Sequence, residues 1–437
     1  MSPLELLIEL LRVDTTNPPG DELPCAEIMR SFLDSAGLET RIVSSPAGRP
    51  SLVARLEGPR DRPPLVLLSH TDVVAVERDK WTHDPFGGVV EGGYVWGRGA
   101  LDMKGIAAMH AQAAAALARS GIQPAREVIV VAVADEEAGG GEGAGWLCEA
   151  HPDLVGLAPD GPSPEVLGEG AFGLSGMFEK PVMPIVLGEK QVLWLDLIAT
   201  GTPGHGALPP IEQAPRNLAR AIDRVAGFGT PRVHPVMQRQ FATLADNSGG
   251  AAAVAFRLLA SGAGRAVAAA LKKVLRSRGT IATLLSDTVT PTQMAAGYKH
   301  NVVPGRATAS LDCRLLPDTD VDAFIAAVSS KVRKLGVTLE EVARHGSPVS
   351  GTGRLFEILT EESHAVPGSP VVVPSLTAGM TDVRHWRARG ARGYGWVPLV
   401  LSPEELGTIH GHDERVEIER FEGAVETLAR VVQRAAT

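Results

Sequence analysis

From Leu65 to Leu68 the chain is purely apolar and then turns polar, which is the pattern of a buried central strand in an α/β sheet. Val128 to Ala134 repeats that pattern and delivers Asp135, Glu136 and Glu137 in succession. Between the two runs, Gly105 to Leu117 is rich in Ala, Met and His with no breaker after Gly105, so a helix is predicted there and the three segments form a βαβ crossover. In open α/β sheets functional residues collect beyond the carboxyl ends of the strands, so the polar residues at these two ends are the first candidates for chemistry.

A second pattern starts near Gln191. The apolar-rich stretch Val192 to Ala199 leads into Gly201-Thr202-Pro203-Gly204-His205-Gly206, and Ala214 to Val225 follows with helical periodicity. Strands near Thr308 to Leu315 and Val337 to Val342 flank a helix from Val321 to Leu335, the signature of an α+β module. Ala251 to Arg278, small and basic, reads as a helical elaboration. After Gly351 the α/β pattern returns, with a helix at Leu355 to Ser363, a polar turn through Thr381 and Asp382 and a closing helix from Arg420 to Arg434. The middle module therefore reads as an insertion into the first domain.

Composition narrows the function classes. A chain of 437 residues with 44% hydrophobic content is long enough for two cores. A net charge of -9 with no clustered Lys or Arg excludes a nucleic-acid surface. Acidic residues interrupt the N-terminal apolar run at helical spacing, and no stretch reaches the length of a membrane span. Cys25, Cys148 and Cys313 are odd in number and lack metal-type spacing, so a disulfide framework is not expected and a reducing cytoplasm is the expected location.

The chemistry-bearing residues gather by accumulation. His70 and Asp72 follow the first buried strand on the same side of an extended chain, and a ligating His commonly needs a carboxylate to orient it. Asp102 sits in the glycine-punctuated loop Gly97 to Gly105, where its alternative role is a helix N-cap. Three adjacent acids at Asp135 to Glu137 repel one another unless they are solvated or share a cation, and the solvated loop is the competing reading. Glu169 stands alone among glycines, and in His410-Gly411-His412-Asp413-Glu414-Arg415 either histidine is a candidate ligand. Two histidines, several carboxylates and no thiolate form a donor set suited to a pair of zinc ions. A carboxylate can bridge two metals about 3.5–4 Å apart while an unliganded Glu takes a proton from the attacking water. HExxH is absent, which excludes the zincin arrangement.

These motifs resemble the M20 metallopeptidase family, which includes aminoacylases, glutamate-releasing carboxypeptidases and succinyl-diaminopimelate desuccinylases. The resemblance runs through Ser69-His70-Thr71-Asp72-Val73-Val74, Gly97-Arg98-Gly99 with Asp102-Met103-Lys104-Gly105, Asp135-Glu136-Glu137, Gly168-Glu169-Gly170, Gly204-His205, Asn301-Val302-Val303-Pro304, Thr381-Asp382 and the His410 to Arg415 segment. It implies an α/β fold with a mixed-sheet zinc-peptidase catalytic domain over 1–190 and 348–437 and an inserted α+β lid and dimerisation domain over 191–347. It further implies that His70 and Glu169 hold one zinc, Glu137 and His410 the other, and Asp102 bridges them, with cobalt or manganese as possible substitutes. Glu136 matches the general base, Asp72 the residue orienting His70, and His205 the stabiliser of the oxyanion, often supplied by the partner subunit of a homodimer. Asn301 and Arg314 match positions that hold the substrate's free carboxylate, and Thr381 is the remaining substrate-contact candidate. Closure of the inserted domain onto the substrate is expected. The implied reaction is hydrolysis of an amide or peptide bond next to a free carboxylate, in an N-acyl amino acid or a short peptide. Two other classes compete with this reading: a non-catalytic dimeric binding module, against which the complete ligand set and Glu136 stand, and a Rossmann-type oxidoreductase, whose G-x-G-x-x-G is absent at a strand-to-helix turn. Apolar residues near Glu169, including Met177, Phe178 and Met183, suit either core packing, the preferred reading, or an apolar substrate pocket.

Overall fold

The computed structural model describes residues 1–437 apart from Met177, Thr230, Gly262, Gly264, Arg265 and 268–278. The chain packs as two compact units, one of Met1–Gly188, Pro348–Ser375 and Thr381–Thr437, the other of Glu189–Ser347 with Leu376–Met380.

The first unit is built on an eight-stranded mixed sheet. Its strand order is Glu39–Ser44, Pro50–Leu56, Val128–Val133, Leu65–His70, Glu165–Leu174, Arg392–Leu401, Val182–Glu189 and Val371–Thr377. The Leu65–His70 strand runs parallel to both neighbours, with Leu65 opposite Val128 on one side and Glu165 on the other. Every residue of Leu65–His70 and of Val128–Val133 is buried, because helices cover both faces of a parallel sheet and leave no wet side for alternation. Val66, Leu68, Ile129, Val131 and Val166 pack on one face against Leu147, Val383 and Trp386. On the other face lies the Lys104–Arg119 helix, buried on nearly all sides because the terminal Ile418–Ala436 helix and the Pro3–Leu11 helix also pack on it. Its run of alanines permits that close approach.

The second unit carries a five-stranded antiparallel sheet, ordered Gly227–Phe228, Thr288–Ala296, Arg306–Leu315, Gln191–Thr200 and Val337–His345. Burial alternates strictly along Arg306–Leu315, as a one-sided sheet requires, and Leu311, Cys313, Leu195 and Leu197 face the Ala214–Val225 and Val321–Val332 helices. In the expected elaboration, Gly250–Ala260 is helical, while 268–278 lies outside the described residues. Met183 is fully buried as core, Phe178 is partly exposed, and Met177 lies outside the described residues. All three cysteines are buried and unpaired. Among the described residues no helix is long and apolar enough to cross a membrane.

Candidate dinuclear metal centre

Five side chains from five separate segments converge at the carboxyl ends of the central strands. His70 is the last residue of its strand, and Glu169 lies within the next strand over. Asp102 precedes the Lys104–Arg119 helix but does not cap it; the capping position falls on Met103, which overturns the alternative of Asp102 as N-cap. Asp135 turns the chain out of the Val128–Val133 strand in a left-handed conformation, and Glu136 and Glu137 follow in a short 3-10 turn. Two of the glycines after them are needed for close approach: a Cβ would stand 2.1 Å from Asp382 Oδ1 on Gly140 and 1.8 Å from the Ala134 carbonyl oxygen on Gly143.

The donor atoms form two groups that share Asp102, namely His70, Asp102 and Glu169, and Asp102, Glu137 and His410, with all donors of a group within 4.8 Å of one another. His70 Nε2 lies 3.2 Å from Asp102 Oδ1 and 3.9 Å from Glu169 Oε1. His410 Nε2 lies 3.2 Å from Asp102 Oδ2 and 3.3 Å from Glu137 Oε1. Of the two histidines of the closing motif, His410 lies in the cluster, while His412 faces Glu77 at 3.5 Å.

The electrostatics of this cluster ask for cations. Burial, reinforced by the charge of Asp102, pushes the Glu169 carboxyl well above the usual range, and burial with the neighbouring Glu169 does the same to Glu136. Glu137 Oε1 is buried, with His410 Nε2 as its neighbour at 3.3 Å. Burial works against a charged His70, yet its hydrogen bonds to Asp102 and Asp72 outweigh that and hold its proton on. Hydrogen bonds from its ring to the Asp102 and Glu137 carboxylates push His410 up to about 10. Imidazole and carboxylate oxygen in two groups sharing one carboxylate fit a pair of divalent ions, which would replace those protons and relieve the repulsion.

Asp72 does more than orient His70. The His70 Nδ1–H donates to the Asp72 backbone oxygen at 2.9 Å, with the Asp72 carboxylate at 3.5 Å. That carboxylate accepts the amides of Glu136 and Glu137, both at 3.1 Å, so it positions both residues of the turn together. Asn17 Nδ2 donates to the same carboxylate at 2.8 Å. The three adjacent acids have three different fates. Asp135 is buried, pairs with Arg49 at 2.8 Å and accepts the Glu142 amide at 2.9 Å, which removes the solvated-loop reading; Glu137 joins a metal group; Glu136 belongs to neither group.

Asn17 and Arg49 escaped the sequence reading, since nothing local marks them: they reach partners 55 and 86 positions away. Asp382, noted only as a motif residue, is buried beside Ser69, His70 and Glu169, and burial raises it to about 7 despite Arg384 and His70. Thr381 is buried at the start of the Val383–Arg387 helix, where its carbonyl accepts Arg384 Nη1 at 2.8 Å.

The remaining candidates belong to the second unit. A two-stranded ladder sets His205 opposite Val302, and the Gly206 amide donates to the Asn301 carbonyl at 2.8 Å, so His205 and Asn301 are neighbours. His205 is exposed, and its Nδ1 accepts from the Ala207 amide at 3.1 Å, which leaves the ring proton on Nε2. Arg314 is occupied: its Nε and Nη2 donate to Asp312 at 2.9 and 3.1 Å.

Comparison with known proteins agrees with this geometry. The profile of peptidase family M20/M25/M40 matches residues 66–434. The chain is 28% identical to the N-fatty-acyl-amino acid synthase/hydrolase PM20D1 of Mus musculus over 395 residues, 86% of this chain and 74% of that protein. It is 26% identical to aminoacylase-1 of Sus scrofa over 442 residues, 99% and 95% of the two chains. The crystal structure of the M20 family metallo-carboxypeptidase Sso-CP2 from Sulfolobus solfataricus superposes with a TM-score of 0.73 at 20% identity, covering 99% of each chain. A dinuclear metal centre on this fold, matched by the family profile over most of its length, makes the chain a metal-dependent peptidase or amidohydrolase that belongs to peptidase family M20/M25/M40.

Proposed function

We propose that this enzyme hydrolyses the amide bond of N-acyl amino acids or short peptides next to a free carboxylate, using two zinc ions held by His70, Asp102, Glu137, Glu169 and His410. The observation that carries the reading is the pair of donor groups sharing Asp102, with Glu136 on the same turn as Glu137 yet outside both groups. When bound, the metal pair supplies Lewis acidity to the scissile carbonyl and acidifies water. Glu136 takes the proton of the attacking water and hands it to the leaving amine nitrogen, a role suited to a carboxyl that burial and the neighbouring Glu169 hold well above the usual carboxylate range. The two amides held on Asp72 keep Glu136 and Glu137 at fixed spacing through that transfer.

His205 donates its Nε2 proton to the oxyanion. Asn301, its neighbour on the ladder, binds the substrate carboxylate; Arg314 joins only by loosening its pair with Asp312. Thr381 contacts the substrate from the first unit. The reading includes a homodimer formed through the 191–347 region, and a cytoplasmic location in keeping with three unpaired cysteines. PM20D1 and aminoacylase-1 are named for N-acyl amino acids, which places those substrates first in the panel to be tried.

The test is hydrolysis of N-acyl amino acids and dipeptides by metal-stripped protein before and after adding zinc, cobalt or manganese. Zinc-dependent release of a free amino acid is expected. Metal-loaded protein that leaves the whole panel intact overturns the substrate class, and greater activity with manganese or cobalt overturns the choice of zinc.

A further inference from the structure

Two residues of the sequence motifs, Arg98 and Glu414, have no part in the reaction described above, yet both are nearly or wholly buried charges, with side chains 2% and 0% exposed. The Glu414 carboxylate accepts four hydrogen bonds. Oε1 takes the amides of Leu101 at 2.8 Å and Asp102 at 3.0 Å, while Oε2 takes the Gly99 amide at 3.1 Å and Arg98 Nη1 at 2.6 Å. A carboxylate offers about four lone-pair directions, and here all are used. The loop that carries Asp102 is thus wrapped around one side chain from a segment more than 300 positions away.

Arg98 extends the wrap to the other ligand loop. Its Nη2 donates to the Gly411 carbonyl at 2.6 Å, next to His410, and its guanidinium lies 5.2 Å from the Trp81 ring centroid. Asp413 closes the same loop from the other side by accepting the Thr82 amide at 2.7 Å and the Thr82 hydroxyl at 2.8 Å. Between them, His410 adopts a left-handed backbone with φ 57°. His70 needs none of this, because it ends a buried strand and is held by the Asp72 carbonyl.

A buried ion pair adds little net stability over a well-packed apolar pair, so stability alone gives weak reason for one at this point. Position gives a better one: two loops must hold Asp102 and His410 within about 0.5 Å of their metal-binding places, and loops left alone move more than that. We propose that Arg98 and Glu414 are positioning residues that clamp the Asp102 loop to the His410 loop and so set the second metal position, the one formed by Asp102, Glu137 and His410. This rests on the dinuclear reading of the cluster. Glutamine at 414 would present N–H groups to donors and leave part of the wrap unmade. Lysine at 98 keeps the charge but has no fork to reach Glu414 and Gly411 together.

The experiment titrates metal-stripped protein with Co2+ alone, read by equilibrium dialysis and by visible absorption, with a thermal melt of each metal-free protein. The wild-type chain is expected to take up two ions, one per donor group. Glu414→Gln is expected to weaken the second ion by about ten- to a hundredfold and the first, which shares Asp102 but keeps His70 and Glu169, by severalfold less, with an altered cobalt spectrum. Arg98→Lys shows a smaller loss at the same position, and it replaces Glu414→Gln if that variant gives no folding transition. Folded variants that bind both ions as the wild type does, or that weaken both equally, overturn the clamp. A wild-type chain that takes up fewer than two ions removes the dinuclear reading itself, an outcome seen before any variant is made.

Discussion

The metal cluster and the His205–Asn301 ladder are built in opposite ways. Four of the five candidate ligands are shielded from solvent, His410 being the exposed one, and three of the segments that carry them are backed by further bonds: Asp72 under the Glu136–Glu137 turn, Glu414 under Asp102, the Asp72 carbonyl on His70. His205 and Asn301 are exposed, on a ladder of two residue pairs. The difference teaches that the ligand geometry is set by unit 1 alone, before any substrate arrives. Loss of a cluster residue should therefore show in metal binding and stability, whereas loss of a ladder residue should show in turnover alone.

Glu136→Gln gives the largest expected effect: kcat falls on the order of a thousandfold while metal content by elemental analysis stays at the wild-type level. Retained turnover would remove Glu136 as the base. His205→Ala is expected to lower kcat about a hundredfold with unchanged metal content and melting temperature, the combination that separates the ladder from the cluster. A drop in bound metal in that variant would erase the contrast.

Proton competition gives a third test. His410 is held protonated up to about 10 by Asp102 and Glu137, so a metal ion entering there displaces a proton. Affinity must then fall as pH falls, by about tenfold per pH unit for each proton displaced. Chelator competition at several pH values reads this directly, and a flat profile contradicts it.

The smallest effect concerns the core behind the cluster. Burial holds His110, on the Lys104–Arg119 helix, down to about 3, below its ordinary 6.5. The unfolded chain therefore takes the proton first, so this contribution to stability is complete above 6.5 and is lost as pH falls toward about 3. His110→Met should shift the acid side of the melting profile up by roughly a few degrees relative to neutral pH. Equal shifts at both pH values would show that packing rather than titration governs the site.

Much of the site was legible in the sequence because its ligands stand at recognisable local boundaries. His70 and Glu137 follow buried apolar runs, Asp102 precedes a long alanine-rich helix, and the closing His410 motif precedes the terminal helix. The flanks of the large sheet were not legible in this way. Glu39–Ser44 lies at the sheet edge with no fully buried residue, and Arg392–Leu401 pairs parallel with Glu165–Leu174 across more than 200 positions.

The sequence by itself determined which stretches are buried strands, which helix joins them and which residue types collect at their ends, because hydrophobic periodicity and turn chemistry act over a few residues. Tertiary structure set Asp102 between both donor groups with His410 rather than His412 beside it, as the family resemblance had implied, and it alone decided that Asn17, Arg49, Arg98 and Glu414 hold the loops. The physical reason is burial. A carboxylate deep in the fold must find its donors wherever the packed chain brings them, and that match exists only once distant segments have closed around it.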